Sequence, residues 1–258
     1  MNDLPNHRYA YAIDLESPTA PARALAHVPA GCTVLELGPG AGSMTRMLAA
    51  RQCGVTAVER DPECQTLAAP FCAELIAGDL EQPEEWLPQL AARRFDVILA
   101  CDVLEHLRDP ALLLRHLPAL LAPGGAFIVT IPNVAHLGII AALLSDDFPY
   151  QEKGLLDATH VRFFTRPTLA ALLEQTGWLP KHWEPIPLAP QYSEFAKHWA
   201  QIPAPLREQL AATAPHGEVY QWLVVAQPQW SQAHTKKESW RLRLRNSWKR
   251  WWSCMTKP

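Results

Sequence analysis

Short apolar runs alternate with stretches of helical period through the central part of the chain, the pattern of a parallel sheet wrapped by helices. The runs Thr33–Leu37, Val55–Glu59, Glu74–Ala77, Phe95–Cys101 and Ala126–Ile131 predict five strands, and Leu179–Pro185 and Val219–Ala226 predict two more. Helical periods fall at Ser43–Arg51, Pro62–Phe71, Pro110–Leu121, Val134–Ser145 and Thr168–Thr176. Pro62, Pro110 and Pro167 suit first turns, where a missing N–H costs nothing. Seven strands, five of them parallel, imply an α/β, Rossmann-like doubly wound sheet. Two segments, Phe148–Arg162 and residues 189–215, read as insertions at the edge where such sheets place their pockets.

The length of 258 residues accommodates one such domain, with 48% hydrophobic residues to fill both faces. No apolar run reaches the roughly 18 residues that span a bilayer. The N-terminus lacks a basic start followed by an apolar stretch, so a cytoplasmic protein is expected. Six cysteines include no C-x-x-C pair and read as reduced thiols. The overall charge of −3 is uneven, because eight of the 23 Lys/Arg lie from Trp230 onward with only Glu238 opposing them. The preceding 229 residues are therefore acidic, which argues against a nucleic-acid partner. The division expected is a domain over 1–229 and a tail over 230–258. Five of the ten tryptophans are in that tail. On a helix, Trp240, Leu244, Trp248, Trp251 and Met255 would share a face, which suits peripheral contact with an anionic membrane. Docking onto an acidic partner and a disordered tail are the alternatives.

The strongest local signal is Val34-Leu35-Glu36-Leu37-Gly38-Pro39-Gly40-Ala41-Gly42-Ser43, a strand running through a glycine-rich turn into a helix. Such a turn lets backbone approach a ligand, and the helix start offers free N–H groups. Glu59, at the end of the next strand, is placed to accept ribose hydroxyls. The spacing is G-x-G-x-G; a dinucleotide fold would want its third glycine where Ser43 stands.

This segment resembles the first motif of class I S-adenosylmethionine-dependent methyltransferases, and the resemblance extends over about residues 31–132. Ile76-Ala77-Gly78-Asp79-Leu80 is similar to the family's third-strand motif. Phe95-Asp96-Val97-Ile98 with Asp102-Val103-Leu104-Glu105-His106 is similar to the fourth. Leu121-Ala122-Pro123-Gly124-Gly125 is similar to the turn into the fifth. The resemblance implies S-adenosylmethionine as cofactor. Glu36, Gly38, Gly40, Gly42, Glu59, Asp79, Leu80 and Cys101 would line its site, with Glu36 toward the amino acid portion, Glu59 on the ribose, and Asp79 and Leu80 at the adenine.

Methyl transfer from an already activated sulfonium needs alignment and, for a hydroxyl acceptor, a base. His106, Asp157 and His160 are the candidate catalytic residues, although each also fits a structural role in its loop. No metal site is assigned, while Asp102, Glu105 and His106 form an acidic/His group of the kind that binds divalent cations in some quinone-biosynthesis and small-RNA methyltransferases. Downstream, Asn133 and His136, then Gly154, Asp157, Thr159, His160, Arg162, Phe163, Phe164 and Thr165, resemble methyltransferases encoded with surface-polysaccharide genes. That implies a sugar or glycan hydroxyl as acceptor. The alternatives are a quinone or small phenolic acceptor, and a non-catalytic S-adenosylmethionine-binding module.

Overall fold

The computed structural model describes residues 7–229. The tail over 230–258 lies outside the described residues, and so do the readings made on it.

Chain order is α1 (Ala20–Ala26), β1 (Thr33–Leu37), α2 (Ser43–Ala50), β2 (Gly54–Glu59), α3 (Pro62–Ala68), β3 (Glu74–Ala77), α4 (Pro83–Trp86), β4 (Phe95–Cys101), α5 (Pro110–His116), β5 (Leu121–Pro132), α6 (Leu137–Leu144), α7 (Arg166–Gln175), β6 (Trp178–Pro187), α8 (Ala196–Gln201), α9 (Ala204–Thr213) and β7 (Val219–Pro228). The strands form one sheet in the order β3-β2-β1-β4-β5-β7-β6. Neighbours from β3 through β5 are parallel, and β7 runs antiparallel to both β5 and β6. This is the seven-stranded, mostly parallel, Rossmann-like sheet expected from the pattern.

Alternation along the strands sends side chains to two cores. Leu35, Ile98, Phe127, Val129 and Trp178 pack on one face, and Val34, Val55, Val97, Ile128 and Leu223 pack on the other with Leu25 of α1 and Leu48 of α2. The buried Trp178 ring donates its Nε1–H to the Leu114 carbonyl at 3.0 Å, so the large side chain leaves no orphaned donor.

The expected helices over Pro62–Phe71 and Pro110–Leu121 end early. Each tightens into a 3₁₀ turn, at Ala69–Phe71 and Leu117–Leu120, where Pro70 and Pro118 have no N–H to continue the α ladder. The helix expected from Val134 starts at Leu137, because Asn133 bridges to Phe164 and the His136 side chain caps the helix by accepting from Gly138 N.

The sheet's topological switch falls between β1 and β4, whose chains continue to opposite sides. Crevices at the carboxyl ends of strands at such a point are where ligands enter these folds. The antiparallel β7 delivers its amino-terminal residues, Tyr220 and Gln221, to the same rim, since Gln221 pairs with Pro132 at the end of β5. No helix among the described residues is long and apolar enough to cross a membrane.

Candidate active site

At the switch point lies a cleft of about 750 Å³. That is within the roughly 300–1,000 Å³ usual for small-molecule sites. Its floor is the ends of β1, β2 and β4, and all of Glu36, Gly38, Gly40, Glu59, Asp79, Leu80, Cys101, His106, Asp157 and His160 line it. Gly42 does not. Its φ of +77° caps α2, and a Cβ there would stand 2.9 Å from the Ala68 backbone, so this glycine serves close packing of α2 on α3.

In the first half of the cleft, Glu59 organises the backbone. Its Oε2 accepts from Gly40 N at 3.1 Å, and Oε1 accepts from Arg60 N and Asp61 N at 2.8 and 2.9 Å. A carboxylate has about four acceptor positions, so one remains for a ligand donor. Glu36 is only 3% exposed and its Oε2 has no partner. Burial, followed by the neighbouring charge of Glu59, pushes its carboxyl up to about 7. A buried acceptor without a donor fits a cationic group brought by a ligand, which is the character of the cofactor's amino acid end. Asp79 stands at the exposed side, where Arg60 Nη1 lies 3.5 Å from Oδ2.

The second half is assembled from distant segments. Asp102, just after β4, has a left-handed φ of +53°, a strained conformation for a residue with a Cβ. Thr130 Oγ1 and Gln221 Nε2 donate to its Oδ1 at 2.9 and 2.8 Å. Glu105 is 1% exposed with neither carboxylate oxygen partnered, and burial holds its pKa well above the ordinary value. His160 Nε2 lies 4.0 Å from Glu105 Oε1, and the His106 and His160 rings are 4.8 Å apart. His106 Nδ1 faces the Thr159 carbonyl at 3.2 Å, and His160 Nδ1 faces the Leu155 carbonyl at 3.2 Å. Carbonyls only accept, so each Nδ1 carries the proton and each Nε2 keeps its lone pair. Burial lowers both imidazole pKa values, which keeps them neutral near pH 7. The acidic/His group expected from the sequence is therefore reassigned: Glu105 and His106 converge with His160, while Asp102 turns toward Thr130 and Gln221.

Asp157 is occupied. Arg8 Nη2 donates to both its oxygens at 2.8 and 2.7 Å, and Thr159 donates to Oδ1 from N at 2.8 Å and from Oγ1 at 2.7 Å. Burial pulls the Asp157 carboxyl upward, but the bonds from Thr159 and Arg8 outweigh it and hold its pKa below the ordinary value. Through Thr159, whose Oγ1 is 3.1 Å from His106 Nδ1, this carboxylate orients His106. Arg8 belongs to an N-terminal strap, with Tyr9 over Gly40 and Tyr11 N donating to Ser43 Oγ at 3.0 Å. Arg8, Tyr11, Tyr220 and Gln221 line the cleft without having been singled out by any sequence motif.

Most of the downstream motif is accounted for by the architecture of its loop. Asn133 Nδ2 donates to the Val219 carbonyl at 2.7 Å, and the fully buried His136 reaches the Leu188 carbonyl at 2.7 Å. Gly154, at φ +100°, abuts Glu194, which accepts from Leu155 N and from Tyr220. Arg162 donates to the Arg108 carbonyl, Phe164 enters the core, and Thr165 caps α7. Of that motif only Gly154, Asp157, Thr159 and His160 line the cleft.

A nucleoside-sized crevice at the switch point, a glycine turn tied to an acidic strand end, and a buried unpartnered carboxylate define a class I S-adenosylmethionine-dependent methyltransferase. The family model for the methyltransferase domain matches residues 7–180, and the chain belongs to that family. It is 30% identical over 178 residues to a ubiquinone biosynthesis O-methyltransferase of Xanthomonas axonopodis pv. citri, covering 64% of this chain and 74% of that protein. It is 37% identical over 105 residues to the enzyme of the same name from Caulobacter sp., covering 40% of this chain and 42% of that one. Among solved structures, it is similar to an S-adenosylmethionine-dependent methyltransferase from Archaeoglobus fulgidus (TM-score 0.56, 16% identity, 80% of this chain and 91% of that one). It is also similar to a Burkholderia thailandensis 1,6-didemethyltoxoflavin-N1-methyltransferase with bound S-adenosylhomocysteine (TM-score 0.51, 21% identity, 81% and 76%). At these identities the structural likeness speaks for the fold.

Proposed function

We propose that this enzyme O-methylates a small hydroxylated aromatic, of the quinone-precursor or phenol type. The similarity to ubiquinone biosynthesis O-methyltransferases, which spans 74% of one of them, is the observation that carries this reading. The cleft supports it with an acceptor half whose proton-accepting nitrogens, His106 Nε2 and His160 Nε2, are neutral and free of internal donors. The bound cofactor would supply a methyl group on a positively charged sulfur. Glu36 would face its amino acid end and Glu59 its ribose, and the glycine turn would admit its body. Cys101 lines the cleft at the end of β4, and His106 or His160 would accept the acceptor's proton as its oxygen is methylated.

Glu105, His106 and His160 also fit a divalent cation. One ligand-type atom from each of the three side chains lies within 4.8 Å of the others, and Nδ1 of each imidazole is tied to a carbonyl. Such an ion would supply Lewis-acid polarisation of the acceptor oxygen. Methylation of a sugar hydroxyl is the second reading, carried by the Asp157-to-Thr165 segment. Its weight is reduced because Arg162, Phe164 and Thr165 serve the loop itself.

The test is turnover of labelled S-adenosylmethionine with catechol-type acceptors and with lipid-linked saccharides, before and after chelation, with products read by mass spectrometry. A methyl ether on the aromatic supports the proposal. A methylated saccharide with inert catechols replaces it with the second reading. Activity indifferent to chelation removes the cation.

A further inference from the structure

Outside the cleft, on the face where α1 covers the sheet, three side chains from two elements converge on one point. His27 caps the C-terminus of α1. His182 and Glu184 are two residues apart on β6, the edge strand, so they project from the same face. His27 Nε2 lies 3.0 Å and His182 Nε2 3.7 Å from the same oxygen, Glu184 Oε2. The two rings are 5.3 Å apart, and one ligand-type atom from each residue lies within 4.8 Å of the other two. The second carboxylate oxygen, Oε1, is 3.5 Å from Arg23 Nε. None of these residues lines the cleft.

Hydrogen bonding accounts for part of this arrangement. His27 can donate to Glu184, but His182 at 3.7 Å is beyond a good hydrogen bond and still aims the same nitrogen at the same oxygen. In a tetrahedral zinc site, bonds of about 2.0–2.2 Å place ligand atoms roughly 3.3–3.6 Å apart. The observed 3.0 and 3.7 Å bracket that spacing. Two imidazoles and one carboxylate are a donor set of the zinc type, with a fourth position for water. Arg23 would act from outside, holding Oε1 so that Oε2 stays turned toward the histidines. The side chains are 31%, 53% and 21% exposed, in the order His27, His182, Glu184, so an ion can reach them.

We propose that His27, His182 and Glu184 form a zinc-class metal site that fastens α1 to the open edge of the sheet. Among the described residues β6 pairs on one side only, through β7, and unpaired edges are the parts of a sheet that need protection. An ion shared by helix and strand would bind the folded chain and not the unfolded one, and so would raise its stability.

The experiment uses the full-length, metal-stripped protein. Zinc would be titrated by calorimetry into the wild type, His27→Ala and His182→Ala, with the melting temperature followed in parallel. Crystals soaked in zinc would be measured above and below the zinc absorption edge. The proposal expects each variant to lose one equivalent of bound zinc and the associated rise in melting temperature, while retaining S-adenosylhomocysteine binding and any equivalent held at Glu105, His106 and His160. It also expects an anomalous peak between the three side chains. Wild-type stoichiometry in both variants, or anomalous density confined to the cleft or absent, would overturn it.

Discussion

The two halves of the cleft are built by different means. The half formed by β1, the glycine turn and β2 is mostly backbone, with amides of Gly40, Arg60 and Asp61 gathered on one carboxylate, Glu59. The half beyond Asp102 is made of side chains brought from four stretches of chain: Arg8, the Glu105–His106 pair, the Asp157–His160 loop and Tyr220–Gln221. A backbone cradle is fixed by the fold and varies little with side-chain substitution. A side-chain wall can be rebuilt one residue at a time. On the proposed function, cofactor binding and choice of acceptor would thereby be separated in the molecule.

That separation can be broken or sharpened by substitution. The largest effect is expected from His106→Ala or His160→Ala. Loss of a positioned proton acceptor should lower kcat roughly 100- to 10,000-fold, with calorimetric affinity for S-adenosylhomocysteine unchanged. An equal fall in affinity would show that the two halves are not independent. Glu59→Ala is the converse. It removes the carboxylate proposed to face the ribose and frees three amides, and should weaken cofactor binding about a hundredfold or more, read by the same titration.

The Glu36 carboxyl supplies a pH test. Its pKa is 4.5 ordinarily and about 7 in the folded, cofactor-free protein. Between these values the unfolded chain has lost this proton while the folded chain keeps it, so stability falls as pH rises through the window and levels off above it. Glu36→Gln should therefore be more stable than wild type above pH 7, by on the order of 3 kcal/mol. The gap should close toward pH 4.5 in urea unfolding, and the variant should lose cofactor affinity. A gap that does not change with pH would mean that the Glu36 charge is compensated within the fold.

The smallest effect is expected from Arg8→Met. Arg8 is linked to His106 by hydrogen bonds through Asp157 and Thr159, so a loss of about tenfold in kcat, with a smaller change in KM for the cofactor, would mark a positioning role.

The same contrast explains what could be read from the sequence. Glu36, Gly38, Gly40 and Glu59 were legible because a strand, a turn and the next strand end fix their relation within two dozen residues. Six of the seven strands announced themselves within two residues at each end, and β5 started five residues earlier than its apolar run. Arg8 and Gln221 were not legible, because each acquires its role by contact across more than a hundred residues: Arg8 with Asp157, and Gln221 with Asp102. Asn133 and His136 stood out by residue type and spacing, yet their polar atoms are consumed in holding β7 and the segment before it. Spacing in a motif reveals that residues are constrained; only the partners reveal whether the constraint is chemical or architectural.

The reversed direction of β7 has an outcome for how this scaffold can be altered. Because that strand starts, rather than finishes, at the rim of the cleft, the segment leading into it, which includes α8 and α9, empties straight into the side-chain wall. Grafting a different stretch there would change the mouth seen by an incoming molecule while leaving the backbone cradle on the far strands untouched. The domain thus carries a natural port for retargeting, one splice away from a new clientele.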